Sequence, residues 1–238
     1  MSIVRYEIQE EIGIVTINHP PVNALSHTLR AGLKQVILRA QRDGSKALVI
    51  LCEGRTFMAG FDINEFGKPP KAPSLPDMIS AIEASEKPVI AAMHGTALGG
   101  GFETALACHY RCAMSSAKIG LPEVKLGLLP GAGGTQRVPR LAGVEAALDL
   151  MTSGKPITSA RAHVLGLVDR ILEGDLYEGA LAYAKELIQE GAELKRVRDI
   201  QVDPATLPSG GFDTYRAGLA RRYRGQTAPQ HIVSCVEA

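Results

Sequence analysis

Apolar and polar positions alternate in two short runs near the start of the chain. Residues 3–8 and 12–17 predict a hairpin, with Ile12, Ile14 and Thr16 on one face of its second strand. The prolines of HisProProValAsnAla at 19–24 forbid regular structure and predict an extended loop. Ser26 stands where it can cap a helix running to about Arg42. The unbroken apolar run AlaLeuValIleLeuCys at 47–52 predicts a strand covered on both faces. A loop from Glu53 to Phe66 follows. Residues 67–77, with Pro69, Pro70, Pro73 and Pro76, read as the one flexible stretch of the core sequence. A helix is predicted from about Asp77 to Glu86 and a strand at Pro88–Met93.

The second half is richer in helical periodicity. It predicts helices at Val144–Ser153 and Thr158–Leu165, the latter capped by Thr158 or Ser159, a strand at 167–172, and a long amphipathic helix over about Leu176–Gln189. Past Gly191 the composition changes. Residues 202–211 read as a linker, Phe212, Tyr215, Leu219 and Tyr223 fall on one helical face, and Pro229 suits the start of a short last helix carrying Ile232, Val233 and Val236. Arg216, Arg221, Arg222 and Arg224 read as a solvated face. The pattern divides the chain into a core, 1–190, and a C-terminal helical segment, 191–238, and strands alternating with helices predict an α/β fold.

Composition narrows the class. The 238 residues are 45% apolar and 21% charged, ordinary for a soluble globular protein. A formal charge of +1 gives no bulk attraction to nucleic acid or membrane. No apolar run reaches membrane-spanning length and the opening residues do not read as a signal peptide, so a cytoplasmic or organelle-matrix (including peroxisomal) location is expected. Cysteine is sparse, as in a reducing compartment. Cys108, His109 and Cys112 lie close together, but no second pair has ligand spacing; buried thiols and a structural histidine are expected there, and no metal.

The chemistry concentrates between His94 and Arg140, HGTALGGGFETALACHYRCAMSSAKIGLPEVKLGLLPGAGGTQRVPR. Gly99, Gly100 and Gly101 precede Phe102 and Glu103, reading as a strand end, a sharp turn and a helix start. N–H groups at a helix start lack intrahelical partners and carry the positive end of the dipole, so they favour an oxygen that gains negative charge. Glu103 falls on the first turn of that helix. Glu123, in GLPEVKLG, is a second acid in the same stretch, and Gly131, Gly133 and Gly134 open a further turn and helix start. On spacing alone, tight packing and a dipole partner explain these residues better than chemistry does.

Together with FMAGFDINEF at 57–66, this stretch resembles the enoyl-CoA hydratase/isomerase (crotonase) family. GLPEVKLGLLPGAGGTQRVPRLAGVEAALDLMTSGKPI is most similar to the hydratase half of bifunctional enoyl-CoA hydratase/3-hydroxyacyl-CoA dehydrogenases. The likeness runs from about Val4 to the end of the chain and is densest between Phe57 and Pro156. It implies a spiral of ββα units with a C-terminal helical segment, and hydration of trans-2-enoyl-CoA to 3-hydroxyacyl-CoA in fatty-acid oxidation, with Δ3,Δ2-isomerisation as a second activity. By matching motifs, the backbone N–H groups of Phe61 and Gly100 would form the oxyanion hole. Glu103 would orient and deprotonate water, and Glu123 would deliver a proton to C2. The CoA part of the substrate would be held by Pro21, Val22, Ala24, Leu25, Ala59, Asp62 and Ile63, mostly through backbone groups. No separate cofactor is implied. Two departures stand out: phenylalanine where many hydratases carry alanine next to the oxyanion hole, which would narrow the acyl pocket, and a loop at Pro20–Ala24 one residue shorter than in many relatives. No GlyXGlyXXGly opens a βαβ unit, so the dehydrogenase half is not in this sequence. The ending resembles the region before bifunctional proteins continue toward that half, which predicts a less covered pocket and lower activity. The resemblance leaves open a homo-trimer, as in the family, or a monomer, as the bifunctional relatives suggest. The rivals are a non-catalytic subunit and an RNA-binding relative on the same scaffold.

Overall fold

The computed structural model describes residues 2–238. In chain order the elements are β1 (Val4–Gln9), β2 (Ile12–Ile17), α1 (His27–Ala40), β3 (Ala47–Cys52), α2 (Leu75–Glu83), β4 (Val89–Met93), β5 (Thr96–Leu98), α3 (Gly100–Ala107), β6 (Tyr110–Met114), β7 (Lys118–Gly120), α4 (Gly134–Ala142), α5 (Val144–Ser153), β8 (Ile157–Thr158), α6 (Ser159–Val164), β9 (Arg170–Leu172), α7 (Leu176–Gln189), α8 (Gly211–Arg222) and α9 (Ala228–Glu237). One sheet has the order β1-β2-β3-β4-β6-β9, antiparallel at the β1–β2 hairpin and parallel beyond it. A smaller sheet has the order β5-β7-β8.

The two sheets are built by repetition. β4 joins the large sheet, β5 the small one, and α3 follows; β6, β7 and α4 repeat the step. Earlier in the chain the small-sheet member shrinks to single bridges, Leu25 with Phe61 and Met58 with Ala97. So β2, Leu25 and α1 form one unit, and β3, Met58 and α2 another. This is the ββα spiral that the resemblance implied.

The large sheet is covered on both faces. Val15, Ile17, Leu48, Ile50, Ala91 and Met93 face the main core with α1, α2 and α3. Ile12, Ile14, Val49, Ile90 and Cys112 face a second core under α7. The second hairpin strand is therefore apolar on both sides, not only on the Ile12–Ile14 face: α7 covers that face, and Val15 and Ile17 on the other pack into the main core with α1. At α2 the helix begins two residues before Asp77. Ser74 and Asp77 form a reciprocal capping box, and Pro76 fits the first turn, where its missing N–H is not needed. It stops at Glu83: Ser85 N closes a tighter turn on Ile82 O, and Glu86 N donates to the Gln41 side chain. The proline-rich stretch before it, read as flexible, is tied to α1: His27 Nε2 lies 2.7 Å from Ala72 O and Arg30 Nε donates to Pro73 O at 3.2 Å.

The predicted strand at 167–172 shortens to β9, since Leu167 N closes the α6 turn on Ala162 O. Thr158, not Ser159, caps α6; the Ser159 hydroxyl donates to Ser115 O. Cys52, Cys108 and Cys112 are buried, whereas Cys235 is half-buried. His109 is fully buried and its Nδ1 accepts from Val89 N, while burial pushes its pKa down to about 4. Arg221, Arg222 and Arg224 are exposed, but Arg216 pairs with Asp213 and Glu237 and so ties α8 to α9. Ile232 enters the main core, and Val233 packs with Val144, Leu148 and Leu219.

Candidate active site

Parallel strands end on the same side, and the candidate residues lie where the small-sheet strands end. Leu98 N donates to Met58 O and Gly99 N to Gly120 O, aligning the ends of all three segments. Gly99, at φ +54, turns the chain from β5 into α3. A side chain on Gly101 would put its Cβ 2.3 Å from Met58 O, so only glycine lets the helix approach the first loop this closely. A Cβ on Gly100 would lie 3.6 Å from Phe61 N, which sets the two backbones side by side. Among the described residues, neither the Phe61 nor the Gly100 N–H has a hydrogen-bond acceptor. Leu25 and Leu75 wall this spot, at 3.2 and 2.9 Å from the same hypothetical Cβ.

Glu103, on the first turn of α3, is 2% exposed. Its Oε1 accepts from Ala132 N and Gly134 N, both at 2.8 Å. The glycine cluster at 131–134 is thus a concave pair of donors, and Gly134 is glycine because a Cβ there would sit 3.0 Å from Glu103 Oε1. Burial raises the Glu103 pKa, and the Gly134 and Ala132 N–H groups and the charge of Arg137 oppose that rise. Glu123 opens a short 3-10 turn after β7. Its Oε1 faces Gly99, 3.0 Å from where a Cβ would be, and its Oε2 is buried without a partner. Burial first, then the nearby Glu103 charge, pushes its pKa up to about 7. The two carboxyls therefore sit in contrasting surroundings, one with two donors and a nearby cation, the other with an unpartnered oxygen.

Two loops carrying the residues expected to hold CoA are laced together. Ala59 N donates to Val22 O and Leu25 N to Gly60 O. These backbone groups of Val22, Leu25 and Ala59 are engaged with each other, and the Leu25 side chain lies in the core. Pro21 and Ile63 are exposed, and Ala24 is half-buried. The Asp62 carboxylate caps the turn at Ile63–Glu65. Sequence reasoning missed the residues behind this arrangement. Asn23, at φ +52, accepts from His19 N and donates to Glu53 O and Thr56 O. Arg30, 2% exposed, donates to Leu25 O, pairs with Glu65, and places its guanidinium 5.0 Å from the Phe61 ring. Asparagine, a residue that tolerates positive φ, in a proline-rich loop was the one available signal for the first; a buried arginine on an apolar helix face left none. Among the described residues no three His, Cys, Asp or Glu side chains gather as metal ligands. A cleft of about 500 Å³ lined by Val124, Lys125, Thr152, Tyr223 and Thr227 includes neither carboxyl nor oxyanion donor.

Two unpaired backbone donors and two buried acids thus meet on a scaffold of ββα units, and comparison with known proteins gives the family of that scaffold. Residues 7–208 match the family model for enoyl-CoA hydratase/isomerase, and the chain belongs to that family. It is 41% identical over 238 residues to the peroxisomal bifunctional enzyme of Danio rerio, an alignment covering 99% of this chain and 33% of that protein. It is 40% identical over 203 residues to a Bacillus subtilis protein named probable enoyl-CoA hydratase, covering 81% of this chain and 79% of that one. The crystal structure of an enoyl-CoA hydratase from Bacillus anthracis matches with a TM-score of 0.73 at 27% identity, over 99% of this chain and 90% of that one. The chain spans about a third of the length of the bifunctional relatives. Among the described residues, no helix is long and apolar enough to cross a membrane.

Proposed function

We propose that this chain adds water across the double bond of trans-2-enoyl-CoA to give 3-hydroxyacyl-CoA. The observation that carries the proposal is the pair of buried acids in contrasting surroundings beside two unpaired backbone donors. Like charges in one site cannot both ionise readily, so one proton stays with the pair. Two N–H bonds favour Glu103 as the carboxylate, leaving Glu123 as the acid. Glu103 takes a proton from water while the water oxygen bonds to C3. The C2–C3 π electrons move toward the thioester oxygen, whose charge the Phe61 and Gly100 N–H groups stabilise; one such donor is worth roughly 3–4 kcal/mol. Glu123 then gives its proton to C2. A proton passing from Glu103 to Glu123 resets the pair, so this chain's own groups suffice for every step.

The substrate class, an acyl-CoA thioester, follows from family membership and from the names of the relatives. The CoA moiety would lie along the laced loops at 21–25 and 59–63. A peroxisomal setting belongs to the proposal through the relatives that carry that word in their names. The division into a core to residue 190 and a helical segment beyond it is likewise proposed. Crotonyl-CoA hydration by the isolated chain is the test: turnover in the wild type that is lost in both Glu103→Gln and Glu123→Gln supports the reading. Full turnover in either correctly folded variant overturns it.

A further inference from the structure

The loop that serves Glu103 is held from behind. Ala132 N–H and Gly134 N–H point at Glu103, while the carbonyl between them, Ala132 O, points away and accepts from Arg137 Nη1 at 3.1 Å. The same guanidinium forms a fork on Glu83, with Nε to Oε1 at 3.2 Å and Nη2 to Oε2 at 2.9 Å. Both side chains are nearly closed off from solvent, at 12% and 5% exposure. Glu83 is fixed in turn by Arg198 N, which donates to Oε1, and by Arg196 Nε, which donates to its backbone carbonyl. A Cβ on Gly133 would lie 2.1 Å from Arg137 Nη1, so the absent side chain makes room for the guanidinium.

We propose that Arg137, clamped by Glu83, is a positioning residue that fixes the 131–134 loop and holds Glu103 as a carboxylate. The inference rests on the reading of Glu103 as the base. A buried ion pair alone is weak evidence of anything beyond packing. What distinguishes this one is its third bond, to the carbonyl that lies between the two donors. That carbonyl belongs to the peptide joining Ala132 to Gly133, so the bond fixes the stretch of backbone that sets the two N–H groups at one angle to each other and to Glu103. Of the groups around Glu103, Arg137 of α4 favours its ionised form, Glu123 beyond β7 is itself pushed toward the protonated form by the Glu103 charge, and Glu83 of α2 faces Arg137. The clamp thus sets both the direction of the hydrogen bonds and the field at the carboxyl, and the field has a pH signature that packing lacks.

The test follows the Glu103 carboxyl by infrared titration, assigned by difference against Glu103→Gln, beside the pH profile of kcat/KM for crotonyl-CoA. In Arg137→Met the Glu103 titration and the acid limb of the profile should both move up by about one unit or more. Activity on the acid side then falls about tenfold per unit and recovers at higher pH. Arg137→Lys, which keeps the charge, should return most of the limb. Because Arg137→Met leaves Glu83 buried and unpaired, the double variant Glu83→Gln/Arg137→Met carries the same test in a fold with no stranded charge. Glu83→Gln alone should leave the limb at or below its original position, although it too destabilises. An unmoved Glu103 titration in Arg137→Met or in the double variant overturns the inference, even if the melting temperature drops. If the titration moves and the acid limb does not, the Arg137 inference stands and the assignment of Glu103 as the base fails.

Discussion

Glu123 carries a stability penalty that its replacement should relieve. Its carboxyl is pushed from 4.5 to about 7 by burial and then by the charge on Glu103, and its Oε2 has no partner. A folded-state pKa above the unfolded value means that the native protein binds the extra proton. Stability is then greatest below about 4.5, falls as pH rises toward 7, and levels off above it. A displacement of this size corresponds to about 3 kcal/mol at alkaline pH. Glu123→Gln keeps the shape and removes the ionisation. It should match the wild type near pH 4.5 and exceed it at pH 8 by up to about 3 kcal/mol, or about 6–12 °C in Tm for a chain of this length. Urea unfolding of both proteins at half-unit steps from pH 4.5 to 8.5 measures the difference, in which titrating groups not coupled to Glu123 cancel. Turnover should be lost at every pH, so the variant is stabler and inactive. A stability difference that stays constant across this range, or a wild type stabler than the variant at pH 8, would refute both the raised pKa and the role of Glu123 as the acid.

Glu103→Gln should cut hydration about 10²–10⁴-fold while damaging Δ3,Δ2-isomerisation less, since only hydration needs an activated water; parallel assays on crotonyl-CoA and a 3-enoyl-CoA check it, and equal losses would count against the division of roles. Gly100→Val begins with its Cβ 2.9 Å from Leu75 Cδ2 and should lower kcat more than it raises KM, because the thioester oxygen needs that N–H most in the transition state. A folded variant with unchanged kcat excludes Gly100 as a donor. Ile232→Ala empties a fully buried position of α9 in the main core and should cost about 2–5 kcal/mol in urea unfolding; an unchanged midpoint would mean that the last helix docks without contributing.

Most of the large sheet was legible, because β1 to β4 are long enough to show their environment, whereas β6 was not anticipated and β9 is shorter than the run that announced it. The run at 47–52 reads as buried on both faces and is. The hairpin strand at 12–17 was harder, because the alternation of Ile12, Ile14 and Thr16 describes one covered face, whereas Val15 and Ile17 are buried on the other as well. Helix ends were readable where a side chain makes the cap, as at Ser26, and misjudged where two candidates competed, as at Ser74 and Asp77, which share one capping box. The two acids and the glycine run stood out through resemblance. The residues that hold them did not, because Arg137, Glu83 and Arg30 act through partners 54, 54 and 35 positions away in the chain. Nothing local distinguishes them from a solvated charge.

The small sheet explains why the site itself escapes periodicity. Its members are single bridges at Leu25, Phe61, Met58 and Ala97 and strands of two or three residues. Two or three residues cannot display alternation, so of these segments only β5, whose end the glycine run marks, reads as a strand. Yet three of them lead to functional candidates: Met58 to Phe61, β5 to Gly100, and β7 to Glu123. Short strands suit this purpose. A longer strand would keep its backbone donors within the ladder, whereas a strand that stops after two or three residues leaves the next N–H groups free. Glycine then does what the ladder no longer does, letting neighbouring segments close to within contact: Gly101 against Met58 O, Gly134 against Glu103, Gly99 against Glu123. The site is therefore recorded in the chain as missing side chains, and the glycines at 99–101 and 131–134 are its most direct imprint.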